Sequence, residues 1–244
     1  VSDYNFGTVE YKLYDSSFNF LNSFITDYHY GFDLDKYNLA DNNIDLTFIN
    51  IGHTDISGVT YNPVRNTLYI VDNADHVIIE IDRNYNLIRE IDLPDFNGID
   101  MEGIAYIGSD SVTGKHKIAF IDENKNVNPL INHAIMYIAE IDNTAISLGI
   151  AQTNSYDLGD MGAGTDGIEG VSYAGKDASG NLIFYVVRQT PREVYNVTIN
   201  DVTSTKLYQD LVLDTTKTTA FNDIAALRDI YYDNNTNNLF IQGM

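Results

Sequence analysis

The sequence predicts an all-β fold, a β-propeller of four-stranded antiparallel blades. Three observations predict it. First, a phrase recurs with different spellings: Gly58-Val59-Thr60-Tyr61, Glu102-Gly103-Ile104-Ala105-Tyr106, Glu169-Gly170-Val171-Ser172-Tyr173 and Asp229-Ile230-Tyr231-Tyr232. Second, a polar turn and a short apolar run follow each copy: Leu68 to Val71, Ile118 to Ile121, Leu182 to Val187 and Leu239 to Ile241. Third, helical periodicity is nearly absent. Runs rich in Val, Ile, Tyr and Phe alternate with clusters of Asn, Asp, Gly and Thr, the pattern of strands joined by turns.

The first clear unit reads as four strands, Ile56 to Tyr61, Thr67 to Val71, His76 to Ile81 and Leu87 to Leu93, with Asn- and Asp-rich turns between them. A four-stranded antiparallel unit of about 40–45 residues is one propeller blade. The second unit starts at Met101, with strands at Gly103 to Ile107, Lys117 to Ile121, Ala134 to Ile141 and Ala145 to Ile150; an insertion, Asp122 to Asn132, lengthens it. The third starts at Ile168, with strands at Val171 to Ala174, Leu182 to Val187, Glu193 to Ile199 and Ser204 to Leu211. The fourth stops after two strands, so Leu239 to Met244 leaves a sheet edge that needs a cover. The expected cover is further chain, a protein partner or a neighbouring subunit. Residues 45–244 thus form the propeller domain, with blades starting near 56, 101, 168 and 229. Residues 1–44 read as an N-terminal extension or as closing-blade strands, with strand candidates at Tyr11 to Tyr14 and Phe18 to Ile25. Ile44 to Ile49 is a further strand candidate.

Composition narrows the function. Thirty-five acidic residues face 14 basic ones, giving a formal charge of −21. Binding to nucleic-acid phosphates or anionic membranes needs the opposite sign. Such a field favours cations and cationic partners. Aspartate supplies most of the acid, 27 residues against 8 glutamates. Asp is a turn residue, so much of this charge is expected to be turn chemistry. With no cysteine, disulfides, a thiolate nucleophile and Cys-type zinc sites are excluded. No run of about 18 apolar residues provides a transmembrane segment.

The ordered motifs resemble one family. Asp55 to Pro63 followed by Asn66-Thr67-Leu68-Tyr69, then Asp100-Met101-Glu102-Gly103-Ile104-Ala105-Tyr106, are similar to the opening blades of the SdiA-regulated (YjiK-like) family. Gly167 to Tyr173 with Thr190 to Tyr195, and Leu227 to Leu239, resemble its later blades. The resemblance implies a propeller of about six blades, exported or membrane-anchored, without an established activity. This chain departs from the family in its N-terminal stretch, in the insertion after Asp122 and in stopping short of further blades. An extracellular, periplasmic or surface-displayed location is the expectation.

In a propeller, the loop entering each innermost strand and the loop leaving the second strand share one face. Here the entering loops carry Asp55, Asp100-Met101-Glu102, Asp166 to Glu169 and Asp229, and the exits carry Asp72-Asn73, Asp122-Glu123-Asn124 and Arg188-Gln189. They predict one mouth lined mostly by carboxylates. Hard oxygen ligands suit calcium better than zinc or copper. Asp100, Glu102, Asp122, Glu123 and Glu169 are the candidate metal ligands. Asp72, Asn73, Arg188 and Gln189 are candidate contacts to a further ligand. Alternatively, Glu102 and Glu169 hydrogen-bond backbone amides of the neighbouring blade, and Arg188 pairs with Glu169.

Other motifs carry less. Gly162 to Gly167 fits G-x-G-x-x-G by letter but opens a strand, where the dinucleotide mechanism needs a helix. Asp122, Asn124, Asn126 and Asn128 have the alternate spacing of a calcium loop, with Val127 where the glycine belongs. No nucleophile elbow or H-E-x-x-H motif exists, and the five histidines are scattered, although His53 and His76 precede strands near the mouth. Catalytic residues are therefore unassigned. Two function classes remain: a binding or surface-interaction propeller, and a calcium-dependent lactonase- or esterase-type hydrolase.

Overall fold

The computed structural model describes residues 8–15, 20–27, 53, 55–96, 98–128, 131–160, 167–215 and 226–243. These form four four-stranded antiparallel sheets. Two strands come first in the chain, β1 (Thr8–Asp15) and β2 (Phe20–Asp27). The first complete blade is β3 (Ile56–Asn62), β4 (Thr67–Asp72), β5 (Val77–Asp82) and β6 (Leu87–Asp92). The second is β7 (Met101–Ser109), β8 (His116–Asn128), β9 (Ile131–Ile141) and β10 (Thr153–Asp160). The third is β11 (Ile168–Lys176), β12 (Leu182–Arg188), β13 (Glu193–Asn200) and β14 (Thr205–Asp214). The last sheet begins with β15 (Leu227–Asp233) and β16 (Asn238–Gly243) and is completed by β1 and β2.

The hairpin turns show where much of the aspartate goes. The Asp82 carboxylate accepts the amides of Asn84 and Asn86 at 2.7 and 2.9 Å, and Tyr85 between them takes the left-handed conformation at φ 64°. Asp177 repeats this arrangement with the amides of Ser179 and Asn181, and the Asp233 carboxylate accepts the Asn235 amide. Such short side chains satisfy backbone donors that the turn leaves unpaired. The alternately spaced Asp82-Asn84-Asn86 and Asp233-Asn235-Asn237 are therefore turn chemistry.

The core lies between the blades. Tyr69, Val71, Ile78 and Ile91 of the first pack against Ile104, Ile118, Phe120 and Tyr137 of the second. Phe96, on the connecting 3-10 turn Pro94–Phe96, wedges edge-on to Phe120 and Tyr137, with centroids 5.4 and 5.1 Å apart. The opposite face of the second blade, with Ala119, Ile121, Met136 and Ile138, packs on Val171, Phe184 and Val197 of the third. Val187, Val194 and Leu213 then meet Ile230, Leu239 and Ile241 of the last sheet. Burying both faces of the three complete blades gives the mixed, run-like apolar pattern seen in β4, β8 and β12.

The recurring phrase is where successive inner strands touch. A Cβ on Gly58 would lie 2.5 Å from the Glu102 carbonyl oxygen, and one on Gly103 2.8 Å from the Val171 nitrogen. Only glycine permits backbones that close. The hydroxyl two residues later joins the same contact. Thr60 Oγ1 accepts the Tyr106 amide and Ser172 Oγ accepts the Tyr232 amide, each at 2.9 Å.

Three expectations change. The outer strand of the second blade is Thr153–Asp160, not Ala145 to Ile150. The earlier segment instead docks on the first blade: Asp92 and Leu148 exchange backbone bonds with Ile146 and Asp92 at 2.9 and 2.8 Å, and Arg89 grips the Asp142 and Ala145 carbonyls. The insertion after Asp122 is strand rather than solvated loop. It extends the β8–β9 hairpin, pairing Lys125 with His133 and Asn126 with Asn132. Finally, the β16 edge is not left for a partner or neighbouring subunit, because β1 pairs along it from Tyr11↔Gln242 to Asp15↔Asn238. Tyr11 to Tyr14 lies within β1, and Phe18 to Ile25 overlaps β2. Ile44 to Ile49 and most of Gly162 to Gly167 lie outside the described residues.

Candidate functional site

The mouth is assembled by one backbone bond repeated in three blades. Asn73 donates to the Asp55 carbonyl, Glu123 to that of Asp100 and Gln189 to that of Gly167, at 2.9, 2.7 and 2.9 Å. Each ties the exit of a second strand to the loop entering the inner strand. Two fully buried aspartates brace the same corner. Asp72 Oδ2 accepts the Asp55 amide at 3.2 Å, and Asp122 Oδ1 accepts that of Asp100 at 3.3 Å. Asp72 and Asp122 thus shape the loops.

The side chains at the next position reach across to the following blade. The Asn73 amide group donates to Asp100 at 2.6 Å and accepts from the Met101 amide at 2.8 Å. Glu123 Oε1 accepts the Gly167 amide at 2.6 Å. Glu123 therefore holds a backbone amide of the neighbouring blade. Gln189 is buried. Arg188 Nη1 lies 3.2 Å from Glu193 Oε2, its partner across the β12–β13 pair.

Each inner strand also bulges at the same point. Pairing skips from Ile56 to Gly58, from Met101 to Ile104, from Ile168 to Gly170 and from Leu227 to Asp229. A bulge turns its extra residue out of the ladder. The residues so placed are Ser57, Glu102, Glu169 and Arg228. Ser57 slightly favours the charged form of the Glu102 carboxyl, and Arg228 Nη1 lies 2.9 Å from Glu169 Oε2. Neighbouring copies of the phrase thus interact through unlike side chains. The next blade's bulge supplies Glu169 with an arginine, Arg228.

Between the first and third blades, Asp100, Glu102 and Glu123 each place one oxygen within 4.8 Å of the others. Burial first, then the charges of Glu169, Asp100 and Glu123, push the Glu102 carboxyl up to about 8, against the small opposing effect of Ser57. Burial also raises Glu123, to about 7; the Gly167 amide opposes, while Asp100 and Glu169 add to the rise. Nearby, burial pushes Asp229 up to about 7 against the bond from the Ile230 amide. Among the described residues no lysine or arginine ion-pairs with Asp100, Glu102 or Glu123, and no histidine belongs to their group. Such an oxygen set can hold a hard divalent cation or an ammonium. A cavity of about 320 Å³ lies elsewhere, against Lys117 and Asp201, whose 2.5 Å ion pair ties the second blade to the third.

Sequence reading placed the carboxylates on one face but did not find the Glu169–Arg228 pair. Arg228 stands where the phrase has glutamate in the second and third copies, and that mismatch was the available signal.

Stacked four-stranded sheets with their polar loops gathered at one mouth define a β-propeller. The chain belongs to the SdiA-regulated family, whose model matches residues 34–242. Among solved structures, it is similar to a chain of a nidogen/laminin complex at 15% identity and a TM-score of 0.42, covering 93% of this chain and 66% of that one. Luciferin-regenerating enzyme is similar at 10% identity and TM-score 0.42, over 78% of this chain and 69% of the other. The β-propeller domain of Myceliophteria thermophila Cps50 (Swd1) matches at 8% identity and TM-score 0.36, over 91% and 61%. The chain therefore spans about two thirds of the length of the structures it matches. Among the described residues, no helix is long and apolar enough to cross a membrane.

Proposed function

We propose that this propeller is a non-enzymatic binding module that takes calcium at its acidic mouth. The observation that carries the reading is the convergence of Asp100, Glu102 and Glu123 oxygens within 4.8 Å, with no ion pair to any of them among the described residues. Carboxylates this close repel one another unless protonated or bridged by a cation. Calcium takes six to eight oxygens, so three carboxylates leave positions for water or for an oxygen-bearing ligand. Extracellular calcium modules work at about 10⁻⁴–10⁻³ M, a range that matters where the ion is abundant, and an exported or surface-displayed location fits it. The hydrolase reading needs a general base beside the ion; the absence of histidine from this carboxylate group favours binding.

Calorimetric titration with Ca²⁺ tests this directly. One ion per chain is expected, with Glu102→Gln weakening it at least about tenfold, and the melting temperature rising with the ion. No heat and no rise in melting temperature at millimolar Ca²⁺ would sink the reading.

A further inference from the structure

We infer that the first blade carries a second metal site, of the zinc class, built on His53, Asp72 and Asp75. One ligand atom from each of the three lies within 4.8 Å of the others. His53 Nδ1 is 2.7 Å from Asp75 Oδ2 and 3.8 Å from Asp72 Oδ2. On the ring's far side, Nε2 is 3.5 Å from Glu90 Oε1. The imidazole is 6% exposed, and Nε2 is buried without a hydrogen-bond partner. Among the described residues, no lysine or arginine ion-pairs with Asp72, Asp75 or Glu90.

Counting protons shows what is missing. A neutral imidazole carries one N–H, and here both ring nitrogens face carboxylate oxygens. With the proton on Nδ1, the Nε2 lone pair confronts Glu90. With it on Nε2, the Nδ1 lone pair confronts Asp75 at 2.7 Å. A divalent cation on Nδ1 resolves the conflict, since Nδ1 and the two aspartates become ligands and the remaining N–H points at Glu90. A metal-bound histidine whose second N–H is oriented by a carboxylate is a recurrent arrangement in such centres. One nitrogen and two carboxylate oxygens suit zinc and its neighbours, whereas calcium prefers oxygen alone.

The local backbone lets the site fill. Asp72 is fixed, its Oδ1 accepting the Asp75 amide at 2.7 Å and its Oδ2 the Asp55 amide. Asp75 sits in the β4–β5 turn with its side chain 53% exposed, free to open the 2.7 Å contact to the wider spacing of two ligands on one ion. The site neighbours the carboxylate mouth through Asp55 and Asn73, yet shares no ligand with it.

The competing arrangement is a doubly protonated imidazole among the three carboxylates, and Co²⁺ binding separates the two. The full chain is titrated with Co²⁺ in millimolar Ca²⁺, which occupies the mouth. One equivalent is expected, with a visible absorption band that Zn²⁺ abolishes. His53→Gln should remove the band. Asp75→Asn, at an exposed side chain, should weaken binding at least about tenfold without lowering the melting temperature. Glu90→Gln should weaken it about 10–100-fold, the usual effect of losing the carboxylate behind a ligand histidine. Absence of Co²⁺ binding by the parent chain, or unchanged affinity in Asp75→Asn, overturns the site. The Asp75 variant decides if His53→Gln fails to fold.

Discussion

Two glutamates in adjacent blades meet opposite fates. Glu80 is fully buried on β5, yet its carboxyl lies below the ordinary value. Burial pushes it up, but Thr67, Arg65 and Arg89 outweigh that, with both arginines 2.7 Å away. Glu102 is less buried, yet burial first and then its acidic neighbours drive its carboxyl up to about 8. The first site is complete in itself. Arg89 also grips the Asp142 and Ala145 carbonyls, so Glu80 anchors one blade to the next. The second site leaves its charge for something from outside to match.

The largest effect should come from breaking the internally matched site. Glu80→Gln leaves two arginines without their buried carboxylate and should cost about 3–5 kcal/mol in denaturant unfolding. A loss under about 1 kcal/mol would mean that water, rather than Glu80, balances them.

The outward-facing site should show itself through pH. Between the ordinary glutamate value of 4.5 and about 8, the folded chain holds protons on Glu102 that the unfolded chain has released. Without calcium, stability from this group is therefore full below about 4.5 and is lost as pH rises through about 8. Calcium at 100 times its dissociation constant restores about 2.7 kcal/mol. Melting curves at several pH values, in chelator and in Ca²⁺, should diverge with rising pH in the parent and run together in Glu102→Gln. Parallel curves in the parent would place the ion elsewhere.

A smaller change tests whether blade spacing sets the cluster. Gly58→Ala puts a methyl against the Glu102 carbonyl and should cost about 1–3 kcal/mol, with weaker calcium binding. If stability falls while calcium affinity holds, the carboxylates do not depend on that contact. The smallest effect has the opposite sign. Removing the positive charge in Arg228→Met should tighten calcium by roughly threefold, as expected for one partly screened charge. A weaker site in that variant would show that Arg228 positions Glu169 for binding.

Much of this was legible in the residues. Val, Ile and Phe runs marked β4, β8 and β12, and Asn- and Asp-rich turns marked their ends. The phrase located the inner strands because glycine and the hydroxyls of Thr60 and Ser172 are needed where blades touch. The mouth was legible as a place, since antiparallel register puts entering and exit loops side by side. What each carboxylate does there was not. Asp122 braces a loop and Glu123 bridges blades, although their letters are alike. β10 escaped because Thr153–Asp160 buries little beyond Tyr156 and Leu158, while the more apolar segment before it serves the first blade. Glu80 gave no signal, for its arginines arrive from a turn and from a neighbouring strand. Nothing in local periodicity told which sheet β1 would join.

That last pairing has a consequence for how the molecule is made. Tyr11 and Gln242 face each other across the β1–β16 pair although most of the described chain lies between them. During synthesis, β1 and β2 leave the ribosome well before β15 and β16 and must wait for them, while the three self-contained blades can zip up from nearby hairpins. Closing so long a loop is slow, although the entropic toll grows only about 0.6 kcal/mol per doubling of length. The composite sheet thus latches later than the three blades, and its β1–β16 seam is where native-state hydrogen exchange should open first.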